Sequence, residues 1–174
     1  LGTRADGYHL LRTGMQSISL ADELLLTRTA EEGITLRCNE PSLPTDGRNL
    51  AVRAAEAVFR HCGLSGGVRI ELKKQIPAEA GLGGGSADAA AVLRGLRALF
   101  SLPLGDEALR ELALPLGADV PFCVGGGTML AEGIGEVLSP LPPMPPCHLV
   151  IVKPPCGSST KAVYAALSLK VLRP

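Results

Sequence analysis

The 174-residue chain carries 17 Lys and Arg against 17 Asp and Glu, so its formal net charge is zero, and 46% of it is apolar. That length supports one sizeable core without staples, and a zero net charge without a basic run excludes the electrostatic footprint of a protein that tracks nucleic acid. Apolar runs stop well short of the ~20 residues of a membrane-spanning helix, no signal peptide opens the chain, and Cys38, Cys62, Cys123, Cys147 and Cys156 lack metal-ligand spacing and read as buried thiols of a reducing cytoplasm.

The chain opens at Leu1 in mid-pattern with "LGTRADGYHLL", read as a loop whose true start lies upstream. From Met15 to Thr29, apolar patches at Ile18, Leu20 and Leu24 to Leu26 predict strands, and Gly33 to Arg37 predicts another. The stretch "TDGRNLAVRAAEAVFRHCG" places Leu50, Ala54, Ala57, Val58 and His61 at helical spacing, with Gly63 at the stop. In "GGVRIELKKQIP", Val68, Ile70 and Leu72 alternate with Arg69, Glu71 and Lys73, a strand with one buried face.

From Ser86 onward, Ala89, Val92, Leu93, Leu96, Leu99 and Phe100 share one stripe, an amphipathic helix packed on a sheet. Asp106 to Leu114 predicts a short helix, "PLGADVPF" a loop, and "CVGGGTMLAEGIGEVLSPL" a hairpin. After the prolines between Pro140 and Pro146, "HLVIVKPP" predicts a buried strand and Thr160 to Leu169 a helix start. The expected organisation is therefore one domain over 1–147 and the beginning of a second over 148–174. Strands and helices without regular alternation make the fold class α+β.

The stretch "IPAEAGLGGGSADAAAVLRGL" places four glycines within five positions between a strand and a helix. A glycine turn that opens a helix exposes backbone N–H groups at the positive end of the helix dipole and lets a phosphate come close. The plain alternative, a flexible turn, is disfavoured by the strand–loop–helix context. The loop lacks the Lys of a Walker A motif, and Ser86 stands where a Rossmann fingerprint needs its third glycine.

Pro77-x-x-x-Gly81-Leu82-Gly83-Gly84-Gly85-Ser86-Ala87 resembles the ATP-binding motif of the GHMP kinases, which phosphorylate small-molecule hydroxyls with ATP. Three further stretches, "RADGYHLL", "LGADVPF" and "AEGIGEVLSPL", extend the resemblance in order over almost the whole chain, toward members acting on a cytidine diphosphate methylerythritol. The resemblance implies a GHMP kinase N-terminal domain of the ribosomal protein S5 domain 2-like fold, with a mixed sheet packed by helices. Its first strand and most of the C-terminal domain would be missing.

It further implies ATP and Mg²⁺ as cofactors, a small-molecule substrate, and no nucleic-acid or membrane partner. Asp119, by itself an ordinary turn or cap residue, becomes the catalytic base that takes the proton of the attacking hydroxyl. Asp6, Tyr8 and His9 become the substrate site, with Tyr8 stacking on cytosine and His9 bonding its edge, while Thr160 and Tyr164 line the same pocket. Ser86 contacts phosphate or the metal and also reads as an N-cap, Asn49 lies near the adenine and also reads as a cap, and Asp88 reads as structural.

Two departures qualify the resemblance. The family's Lys beside the catalytic Asp precedes Leu1, so charge at the loop is left to backbone N–H groups, the metal and that Lys. The family's C-terminal domain would extend past Pro174, so the polypeptide as it stands is expected to be inactive or nearly so. Other GHMP kinases, acting on mevalonate-type or homoserine-type acceptors, and a non-catalytic nucleotide binder are the remaining alternatives.

Overall fold

The computed structural model describes residues 2–3 and 9–154, with side chains from residue 10 onward. In chain order the elements are β1 (Gly2–Thr3), β2 (His9–Gln16), β3 (Glu23–Thr29), β4 (Gly33–Cys38), α1 (Leu50–Cys62), β5 (Gly67–Lys73), α2 (Gly84–Leu99), α3 (Asp106–Ala113), α4 (Val120–Gly125), β6 (Thr128–Gly133) and β7 (Val137–Pro140). They form an α+β fold with two sheets, β1-β2-β6-β7 and β3-β5-β4.

The smaller sheet is the mixed one: β5 pairs antiparallel with β3 and parallel with β4. The register aligns the inward residues of all three strands in rows, Leu24–Leu72–Cys38 and Leu26–Ile70–Leu36. Helices α1 and α2 cover that face with Val52, Ala55, Val58, Val92, Leu93 and Leu96. Each large side chain fully withdrawn from water here stabilises the domain by about 1.5–3 kcal/mol. At Gly95, in mid-helix, a Cβ would lie 2.5 Å from Leu26 Cδ1, so a larger residue there would require the Leu26 side chain to turn aside.

Helix α1 is closed at both ends. The Asn49 side chain accepts the Ala51 N–H at 2.9 Å, and Gly63 takes the left-handed conformation at φ 59°. At the far end of the core, Phe59 meets Phe100 edge to face, with the Arg28 guanidinium over the Phe100 ring. The larger sheet is antiparallel throughout, with β6 between β2 and β7, and the expected hairpin is its β6–β7 pair.

Several expectations change. The first long strand begins at His9 rather than Met15, because its pattern is set by pairing with β6 and not by its own apolar content. Part of "PLGADVPF" is helical, since Pro121 fits the first turn of α4, where its missing N–H has no intrahelical acceptor. Leu99 lies 37% exposed at the end of α2, off the buried stripe.

The run 148–152 is not a buried strand. Val150 and Val152 are 90% and 84% exposed, and no described residue pairs with the run in a ladder, the one thing an apolar run needs to become a strand. The thiols are less buried than expected: Cys38, Cys62 and Cys123 are partly buried and Cys147 is exposed. Cys156 lies outside the described residues.

Candidate active site

The glycine loop leaves β5 through Ile76 and Pro77 and enters α2. Gly81 and Gly83 have φ of 68° and 66°, a left-handed backbone that strains any residue with a Cβ. Gly83 is the N-cap of α2 and has no side chain to close the helix. The first bond inside the helix runs from Ala87 N–H to Gly83 C=O at 2.9 Å, so the amides of Gly84, Gly85 and Ser86 have no intrahelical acceptor.

Ser86 is therefore in the first turn and not the cap expected from sequence; glycine takes the cap because the chain enters the helix at positive φ. A Cβ on Gly84 would lie 3.0 Å from Ile76 Cγ2 and 3.3 Å from Lys74 Nζ. The floor of the loop is thus packed while Gly85 stays exposed, which leaves the free amides approachable from outside only.

Beneath that floor lies a group of charges. Lys74 donates to Asp22 and, at 2.8 Å, to Asp88 in the second turn of α2. The side chains of Lys74, Asp22 and Asp88 are 8%, 2% and 5% exposed. Asp22 also accepts the amides of Gln75 and Ile76, and Asn39 holds the Lys74 backbone on both sides, accepting its N–H at 2.7 Å and donating to its C=O at 3.3 Å.

Burial raises the Asp22 carboxyl, but the bonds from Lys74, Gln75 and Ile76 outweigh it and hold it below its ordinary value. For Asp88 burial wins over Lys74, and the group is pushed up to about 6, with one oxygen, Oδ1, buried and unpartnered among the described residues. For Lys74, burial lowers and the two carboxylates raise, with a net rise.

Asp119 occupies the N-cap position of α4, is exposed, and makes no capping bond. The C-terminal end of that helix is held from α2: Arg94 donates from one nitrogen to the carbonyls of Cys123 at 2.6 Å and Val124 at 2.9 Å. Burial, then the Asp119 carboxylate, pushes the Cys123 thiol up to about 11, with Arg94 opposing and Asp88 adding.

Asn49 caps α1, and its neighbour Leu50 reaches to 3.6 Å from the Cβ position of Gly85. Asn49 and Gly81–Ala87 thus meet at the start of α2, while Asp119 stands on α4, a helix tied to α2 through Arg94. Asp6, Tyr8, Thr160 and Tyr164 lie outside the described residues, and of His9 only the backbone, in β2, is described.

Residues 49–127, which span α1 to the end of α4 and contain the whole of this arrangement, match the family of the GHMP kinases N terminal domain. The chain has the fold of a GHMP kinase N-terminal domain. It is 48% identical over 169 residues to a 4-diphosphocytidyl-2-C-methyl-D-erythritol kinase of Clostridium botulinum, covering 97% of this chain and 60% of that protein. The chain thus spans about 60% of the length of the curated relatives it matches.

A solved 4-(cytidine 5'-diphospho)-2C-methyl-D-erythritol kinase superposes with a TM-score of 0.80 at 42% identity, over 98% of this chain and 60% of that one. A homoserine kinase from Cytophaga hutchinsonii, at 22% identity, TM-score 0.70, and 85% and 51% coverage, shares the fold.

The chemistry of the GHMP domain's open helix end fits a polyphosphate, which takes three free amides and the dipole without a side chain in the way. For a metal, no group of three or more His, Cys, Asp or Glu is gathered among the described residues. Magnesium commonly takes few protein ligands beside substrate phosphates, and the Ser86 hydroxyl in the first turn of α2 suits one such place.

Sequence reading missed Lys74, Asp22, Asn39 and Arg94. A signal for the first existed: the inward series Val68, Ile70, Leu72 continues at Lys74, and Asp88 falls on the buried stripe with Val92 and Leu96. An inward cation and an inward anion in adjoining elements announce a pair.

Proposed function

We propose that the protein containing this chain transfers the γ-phosphate of ATP to the 2-hydroxyl of 4-diphosphocytidyl-2-C-methyl-D-erythritol, in the biosynthesis of isoprenoid precursors. The observation that carries the reading is the uncapped start of α2, where the amides of Gly84, Gly85 and Ser86 have no intrahelical acceptor and no side chain caps them. The names of the relatives support the acceptor.

In this reading the amides of Gly84, Gly85 and Ser86 hold the phosphates, and Pro77, Leu82 and Ala87 shape the loop around them. Asn49, fixed as a cap, borders the adenine. Asp119 accepts the proton of the hydroxyl as its oxygen forms a bond to the γ-phosphorus and the bond from that phosphorus to the bridging oxygen breaks, releasing ADP. Mg²⁺, with Ser86 as one ligand, supplies neutralisation of the phosphate charge when bound.

Asp6, Tyr8, His9, Thr160 and Tyr164 hold the cytidine, and residues 148–174 begin the second domain. The compartment is the cytoplasm.

The test is phosphate transfer from ATP to this acceptor by the full-length polypeptide, beside its Asp119→Asn variant. Turnover that drops by about 10²–10⁴ in the variant, with ATP still bound, supports both acceptor and base. ATP binding without transfer to this acceptor would move the reading to other alcohols. Tyr8→Ala should raise KM for the acceptor far more than KM for ATP.

A further inference from the structure

The candidate base and the phosphate loop stand on different helices, and their spacing has to be kept by something. The base sits at the N-cap of α4, a helix of six residues, too short to hold a direction by itself. Its other end is fixed in two ways.

Gly126 closes the helix at φ 64°, ψ −155°, with its N–H on the Phe122 carbonyl at 2.7 Å. That backbone region belongs almost wholly to glycine. Arg94 then donates to two carbonyls of the last turn, Cys123 and Val124, and places a cation at the negative end of the helix dipole.

Arg94 is itself rooted in α2, the helix whose first turn offers its amides to phosphate. Between its guanidinium and the glycine loop lie only turns of one continuous helix, with Val92 and Leu93 fully buried. The bond therefore transmits the position of the phosphate cradle to the element that carries Asp119.

We propose that Arg94 is a positioning residue that locks the Asp119 helix to the phosphate-loop helix, so that base and phosphoryl donor keep one spacing. The proposal rests on the kinase reading above. It assigns Arg94 no contact with substrate, since its donors to α4 point at main-chain carbonyls.

The experiment compares Arg94→Met and Arg94→Lys with the wild-type full-length polypeptide, by steady-state kinetics in ATP and in the acceptor together with thermal unfolding. Arg94→Met keeps the aliphatic stem and loses both bonds. Its kcat should fall by about tenfold, since misplacement of a catalytic group by a fraction of an ångström is costly, while both KM values stay within about twofold because the two binding surfaces are untouched.

Arg94→Lys retains a cation near the same carbonyls and should fall between the two, which a lost packing contact alone would not produce. If Arg94→Met does not fold, Arg94→Lys carries the test by itself. Wild-type kcat in the variants that fold, or a kcat loss that comes with raised KM, a lower unfolding midpoint and no recovery by Lys, would overturn the proposal. A wild-type protein that binds ATP but phosphorylates no alcohol overturns the kinase reading and this role together. Transfer by the wild type with unaltered Arg94 variants overturns the role alone.

Discussion

Two helices begin side by side in this domain and are finished in opposite ways. At the start of α1, Asn49 turns its side chain onto the Ala51 amide and gives its own N–H₂ to the Pro44 carbonyl. At the start of α2, Gly83 offers no side chain at all, and the first three amides stay open. The closed end contributes to folding, whereas the open end, with glycine at its cap, forgoes only a few tenths of a kcal/mol and leaves its donors without an intrahelical acceptor. The difference shows that an uncapped helix start is informative when a capped one lies beside it.

The open end also needs more beneath it. Where α1 rests on apolar packing, the loop before α2 stands on Lys74 shared by Asp22 and Asp88, two carboxylates to one ammonium. Buried ion pairs add little net stability compared with apolar packing, but losing one member is costly. Lys74→Met should therefore be the most damaging change in this region, about 3–5 kcal/mol in denaturant unfolding, because it strands two carboxylates. A midpoint close to that of the wild type would show that the charges are not held as described.

A second expectation concerns pH. Asp88 is raised from 3.8 to about 6 in the folded state, so between those values the native protein binds more protons than the unfolded chain, and stability increases as pH falls through 6 toward 4. Its surroundings are Lys74 and Asp22 on the strand side and Cys123 on α4. The gain is on the order of 2 kcal/mol. Asp22, held low, acts in the opposite sense and loses its contribution only below its ordinary range. Unfolding curves from pH 7 to 4 should show the rise, and Asp88→Asn should flatten it.

Gly83→Ala comes next. At φ 66° the added Cβ meets no neighbour, so the cost is conformational strain of about 1–2 kcal/mol. The loop relieves that strain by moving its amides, and ATP binding by calorimetry should weaken more than stability does. Equal ATP affinity would break the contrast between the open and the closed helix start. The smallest effect is that of Asn49→Ala, about 1 kcal/mol in stability. Because Asn49 borders the adenine in the proposed reading, KM for ATP should rise as well, and an unchanged KM would reduce the residue to a cap.

Much of this was legible in the chain. Val68, Ile70 and Leu72 announced a half-buried strand, Asn49 and Gly63 bounded a helix, and the glycines from Gly81 to Gly85 marked a backbone that must turn through positive φ. These are local signals, since periodicity and turn chemistry act within a few residues. The corrections fall where the partner is distant: β2 draws its length from β6, and 148–152 has strand composition without a partner among the described residues. Ser86 misled because a serine before a helical stripe is the commonest cap, and only the path of the backbone shows that the helix has already begun.

The sequence by itself determined the glycine loop between strand and helix and the α+β class, because glycine conformation and residue periodicity are carried by neighbours in the chain. Tertiary structure alone decided what stands under and beside them. Asp22 reaches Lys74 from more than fifty residues away, and Arg94 reaches the end of α4 across about thirty. Such contacts depend on how sheets and helices stack, and a packing register between elements leaves no period in the chain that could be read in advance.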